Sequence, residues 1–167
     1  MKLIIDVFYG NDSAKVVGGF FEHWHDEAFI KISSKQVTGI EDYVPGEFYK
    51  RELPCILSFL RDHEPGNIEL IIIDGFVFLD DNGKKGLGAY LFESLDKKIP
   101  VIGVAKTRFH NNTKNVCEVF RGESNNPLYV SAIGIDLAVA SGLIRNMHGN
   151  FRLPELLKLV DTETKKL

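Results

Sequence analysis

Apolar positions in the first third of the chain come in short runs broken by polar turns, the pattern of an antiparallel meander. Residues 2–9, built around Leu3-Ile4-Ile5, predict a strand, and Gly10-Asn11-Asp12-Ser13 supplies turn residues. Residues 14–22, rich in Val and Phe, predict a second strand. A polar turn over 23–27 leads to a third strand predicted at 28–32. The segment 33–42 is polar and runs into Tyr43-Val44-Pro45-Gly46.

From Glu47 the period lengthens. Phe48, Leu53, Ile56, Leu57 and Leu60 recur at three- and four-residue steps, which predicts a helix ending before Pro65-Gly66. Residues 70–73 form a continuous apolar run, as in a strand covered on both faces. A helix over 86–95 and a buried strand over 100–105 follow, then shorter strands over 116–120 and 128–131. Two helices, over 136–147 and 154–165, close the chain. The expected architecture is a single mixed α/β domain over residues 1–167. It starts with three antiparallel strands, continues through a crossover helix into parallel strands, and carries helices on both faces of the sheet. The first strand is too apolar for an edge and is expected inside the sheet, parallel to the 70–73 strand.

Composition narrows the partners. At 167 residues, with 44% hydrophobic and 26% charged content, the chain suits a globular domain with a substantial core. No apolar run approaches the roughly 20 residues that span a bilayer, and Met1 leads straight into a strand, so a cytoplasmic protein without a membrane partner is expected. Cys55 and Cys117 lack the spacing of a metal finger or redox pair and read as reduced thiols. A net charge of −3 gives no global basic surface, so any phosphate-binding site must be local.

Candidate chemistry rests on three acids. Asp6 in Leu-Ile-Ile-Asp-Val and Asp74 in Ile-Ile-Ile-Asp-Gly interrupt or end apolar strands, while Glu52 opens an amphipathic helix. An unpaired buried carboxylate costs several kcal/mol, so acids in such settings usually face a cation. Two strands and a helix delivering them together suit a hard divalent ion such as Mg²⁺, with Mn²⁺ able to substitute. His23 and His25 flank Trp24 without a third ligand and read as a solvated turn. Asp80-Asp81-Asn82-Gly83 lacks the Glu spacing of a calcium loop and reads as a surface turn. Lys84-Lys85 and Lys97-Lys98 read as solvated helix ends, with a phosphate contact as the alternative for the first pair.

Five blocks, in order, resemble the endonuclease V family. They are residues 43–54 around Tyr-Val-Pro-Gly and Arg-Glu-Leu-Pro, Ile73-Asp74-Gly75, the strand Ile99 to Lys106, Pro127-Leu128-Tyr129-Val130-Ser131, and Phe151-Arg152-Leu153-Pro154-Glu155. The resemblance implies a ribonuclease H-like fold and Mg²⁺-dependent, two-metal-assisted hydrolysis of the phosphodiester bond 3′ to inosine in DNA or RNA, as a monomer. It implies Asp6, Glu52, Asp74 and Asp161 as metal ligands and Lys106 as a cation pointing into the site. Tyr43, with Val44 and Pro45, would be the wedge that fills the gap left by a displaced base, and Gly46 and Gly103 would contribute to the hypoxanthine pocket. Three departures mark a short, divergent member. Only five residues precede Asp6, where the family usually has a further helical segment. Phe76-Val77-Phe78-Leu79-Asp80-Asp81-Asn82 replaces the family's His-Gly-Ile-Ala-His-Pro-Arg loop, and Ala132-Ile133-Gly134-Ile135 its Pro-Gly-His-Arg. A catalytically weak nucleic-acid-binding protein and a structure-specific nuclease are the alternatives.

Overall fold

The structure, a computed structural model, describes residues 1–166; Leu167, the last residue of the expected domain, lies outside the described residues. Seven strands form one mixed sheet: β1 (Lys2–Tyr9), β2 (Ser13–Phe21), β3 (Lys31–Thr38), β4 (Leu70–Asp74), β5 (Val101–Ala105), β6 (Cys117–Val119) and β7 (Leu128–Ile133). Their order across the sheet is β3-β2-β1-β4-β5-β7-β6, which puts the apolar β1 between β2 and β4. β1, β4 and β5 run parallel, with Ile4 beside Ile72 and Ile72 beside Ile102. The flanking pairs are antiparallel. The helices are α1 (Tyr49–Arg61), α2 (Leu87–Ser94), α3 (Leu137–Arg145) and α4 (Glu155–Thr164).

The alternation of side chains along a strand divides the core in two. Leu3, Ile5, Ile71 and Ile73 pack with Ile56, Phe59 and Leu60 of α1 and Leu91 of α2. Ile4, Ile72, Ile102 and Val104 pack on the other face with Ala140 and Ile144 of α3 and Leu156, Leu157 and Val160 of α4. Helices therefore cover both faces, as the continuous apolar runs require. None of the described helices is long and apolar enough to cross a membrane.

One strand differs from expectation. The third strand is Lys31–Thr38, not 28–32. Its apolar lead-in serves another purpose: Phe29 packs under Gly19, where a Cβ would come within 2.4 Å of the ring. The strand itself is a polar edge, paired only to β2. Charged residues suit an exposed edge, and they hid it from the apolar pattern. Lys35 ties it to α1, its Nζ donating to Ser58 O at 3.0 Å and pairing with Asp62 at 2.6 Å.

Candidate active site

Parallel pairing of β1 with β4 runs from Lys2–Leu70 to Ile5–Ile73, so the next step places Asp6 abreast of Asp74. Asp74 in turn lies beside Val104, two residues before Lys106 at the carboxyl end of β5. Asp6 and Asp74 follow Ile4 and Ile72 by two residues, so both turn toward the face that α4 covers. Asp161 enters from α4, with its Oδ1 3.7 Å from Lys106 Nζ and its Oδ2 3.0 Å from Lys165 Nζ. Asp6, Asp74, Lys106 and Asp161 line one concavity, floored by Leu153 and Leu157.

The carboxyls are crowded and poorly compensated. Burial, then the charge of Asp74, pushes Asp6 up to about 6, although the Val7 amide donates to its Oδ1 at 2.9 Å. Asp74 sits at the solvent-facing mouth, yet partial desolvation raises it too, reinforced by Asp161 and opposed by Lys106 and Lys165. Like charges this close disfavour simultaneous ionisation.

Glu52 stands apart from this group in position but not in charge. It is only 3% exposed and rises on α1, which packs against the opposite face of the sheet. Burial first, then the charges of Asp6 and Asp74, lifts it well above the carboxylate range, with the neighbouring Arg51 opposing. Its Oε2 is buried without a hydrogen-bond partner, as is the Tyr9 hydroxyl, and the Arg51 guanidinium lies 3.6 Å from the centre of the Tyr9 ring. Among the described residues no three His, Cys, Asp or Glu side chains already form a metal-holding group. The expected set of Asp6, Glu52 and Asp74 is approached from two sides. The strand aspartates and Asp161 share the α4 face, and Glu52 comes from the α1 side. Mutual repulsion favours this spread. The donor set still fits a hard cation: it is all carboxylate, it has one orphaned buried oxygen, and three aspartates face Lys106 and Lys165 while Glu52 has Arg51.

The segment before α1 projects outward. Tyr43 is 55% exposed and Val44, Pro45 and Gly46 are exposed beside it. Glu47 N donates to Val44 O at 3.0 Å, closing a turn in which Gly46 takes φ +79°, a region glycine occupies readily. The turn is anchored next door by Tyr49, stacked on Tyr90 of α2 at 3.9 Å. Open space surrounds Gly46, so backbone conformation, not crowding, explains its glycine. Gly103 lies elsewhere, buried inside β5, where an added Cβ would stand 2.4 Å from Gly75 O. Its missing side chain admits the Gly75 backbone.

Other sequence features settle into structural roles. In the loop after Asp74, Asp81 accepts from Thr113 N at 2.6 Å and Lys114 N at 2.7 Å, clamping it to residues 113–114. His23 and His25 are exposed, and Lys85 pairs with Glu93 at 2.6 Å. Two arginines gave no periodic signal. Arg152 donates to Lys106 O and, at 2.7 Å, to Pro127 O, fixing the end of β5. Arg121, 5% exposed, donates to five carbonyls of residues 145–152. Its burial is invisible in sequence.

Comparison with known proteins identifies the family and the fold. A family model described as Endonuclease V matches residues 5–162. The fold is similar to that of human endonuclease V, with 22% identity and a TM-score of 0.72 over 98% of this chain and 83% of that one. It is similar to that of a Ciona intestinalis endonuclease V bound to a 24mer DNA containing an inosine followed by a ribo-adenosine, with 16% identity and a TM-score of 0.79 over 98% and 84%. The Bacillus subtilis endonuclease V gives 20% identity and a TM-score of 0.73 over 98% and 78%. No curated protein sequence matches the chain.

Proposed function

This chain belongs to the endonuclease V family, and from that premise we propose that it is a Mg²⁺-dependent endonuclease cutting 3′ to inosine. The chain is a nuclease by family; lesion, metal and residue roles are the proposal. The single observation that carries it is the placement of Asp6, Asp74, Lys106 and Asp161 together at the carboxyl ends of parallel strands. Ligands of α/β sheets gather at such ends.

Asp6, Asp74 and Asp161 would hold the metal, with Glu52 contributing its orphaned oxygen from α1. Mg²⁺ held there supplies Lewis acidity for water attack on the phosphodiester and charge for the leaving oxygen. Lys106, exposed and loosely paired with Asp161, offsets phosphate charge. Arg152 holds the Lys106 backbone in place. The exposed Tyr43 ring fills the stack when a base is extruded, a step costing a few kcal/mol. Inosine is favoured as the lesion because the Ciona relative was captured on inosine-containing DNA. Residues 1–167 would act as a single domain.

The reading is tested with an end-labelled strand carrying one inosine and an unmodified twin. Cleavage only of the inosine strand, 3′ to the lesion and only with Mg²⁺, is expected. Binding of both strands without cleavage would replace it with the nucleic-acid-binding reading. One observation favours that second reading: residues 76–82 after Asp74 contain no Lys or Arg, and their Asp81 is spent on the backbone of residues 113–114.

A further inference from the structure

Among the described residues the most exposed large apolar side chain is Phe151, at 77%. Its backbone is not loose. Arg121 reaches the carbonyls of Met147 at 2.7 Å, Gly149 at 3.0 Å and Phe151 itself, and it also bonds to those of Arg145 and Arg152. The buried guanidinium thus turns the Phe151 carbonyl inward while the ring points into solvent. The next residue, Arg152, bonds to the carbonyls of Lys106 and Pro127. A ring held this firmly yet left bare contributes little to the core, and exposing it carries a hydration cost.

Its surroundings indicate what it meets. Leu153 separates two concavities: the acidic one containing Asp6, Asp74, Lys106 and Asp161, and a groove that Phe151 borders. Along that groove lie His148, 3.2 Å from the Glu155 carboxylate, and Lys158 and Thr162, the last two on α4 on either side of Asp161 in sequence. Lys158 is exposed and makes no ion pair among the described residues. An aromatic face and a free ammonium beside a phosphodiester-cutting site match a single strand, whose bases stack and whose phosphates seek cations.

We propose that Phe151 is a stacking platform for a nucleobase of the strand that runs through the acidic site, with Lys158 meeting a phosphate of that strand. This rests on the nuclease reading above and adds a second aromatic contact, separate from Tyr43. Stacking on such a ring tolerates any base, so Phe151 holds the strand and does not read the lesion.

The test measures fluorescence anisotropy of a single-stranded oligonucleotide with one inosine, and of its unmodified twin, with Ca²⁺ replacing Mg²⁺. Wild type is compared with Phe151→Ala, Phe151→Leu and Phe151→Trp, with urea unfolding as a folding control. Expected are roughly tenfold weaker binding for the Ala and Leu variants on both strands, and recovery in the Trp variant, since only an aromatic ring restores the stacking. Wild-type affinity in Phe151→Ala overturns the inference. So does wild-type affinity in Phe151→Leu, which would show a plain apolar contact. A wild-type dimer in sedimentation that Phe151→Ala converts to monomer would assign the ring to self-association. If wild type cleaves at inosine but Phe151→Ala binds normally, only this inference fails. If wild type binds neither strand, the nuclease reading fails with it.

Discussion

Asp6 and Asp74 stand side by side on adjacent parallel strands, one step beyond the last paired residues Ile5 and Ile73. Sheet register alone therefore brings two carboxylates together, and the charge of Asp74 is the second-largest reason that Asp6 titrates near 6. Such an arrangement opposes folding and suits a cation. Active sites commonly carry this tension between stability and chemistry.

The tension gives a pH-dependent stability. Asp6 rises from an ordinary 3.8 to about 6, so the native state holds its proton more tightly than the unfolded chain. The sign follows: stability from this group is greatest below about pH 4 and is lost as pH climbs through 6. The full difference is at most about 3 kcal/mol. In chelator at pH 8, Asp6→Asn should unfold at higher urea than wild type, by about 1–3 kcal/mol, and the gap should close at pH 4. Equal stability at pH 8 would show that Asp6 is not electrostatically strained.

Asp74→Asn should reduce cleavage by at least about a hundredfold while changing strand binding little, because it removes charge but almost no volume. Single-turnover cleavage and anisotropy on one inosine strand separate the two effects. Full activity would remove Asp74 from the site.

Tyr43→Ala should lower discrimination for inosine by about ten- to a hundredfold on paired substrates, matching roughly 1–3 kcal/mol of lost stacking. The loss should be smaller on single strands, whose bases are extruded more cheaply. Because the ring is exposed, the unfolding midpoint should barely move. Equal losses on both substrates, or none, would mean the ring is not a wedge.

Arg121→Met should destabilise the protein by about 3 kcal/mol or more, because five carbonyls lose their donor at once. Urea unfolding measures this directly. Arg121→Lys should recover only part, since an ammonium cannot span the same fan of acceptors.

Much of this structure was readable from residues alone. The parallel core of β1, β4 and β5 announced itself through uninterrupted Ile and Val runs, and α1 through its three- and four-residue steps. β3 was misplaced because Lys35 and its polar neighbours serve the edge through ion pairing, leaving an apolar signal only at Phe29, beneath Gly19. Asp6 and Asp74 could be singled out as acids in apolar strands, but the approach of Glu52 from the far side depends on which face α1 covers. Asp161 came from resemblance, since an acid on an amphipathic helix usually meets only water. Arg121 and the Gly75–Gly103 contact join segments distant in sequence, and no local pattern encodes them.

Whether the carboxylates bind a divalent ion is read directly by anomalous diffraction from a crystal soaked in Mn²⁺. The expected map has a peak between Asp6 and Asp74, with Asp161 or Glu52 drawn into its coordination, and excess Mg²⁺ removes it. A map with no peak at these residues, from crystals that bind Mn²⁺ elsewhere, would contradict a metal-dependent nuclease site here.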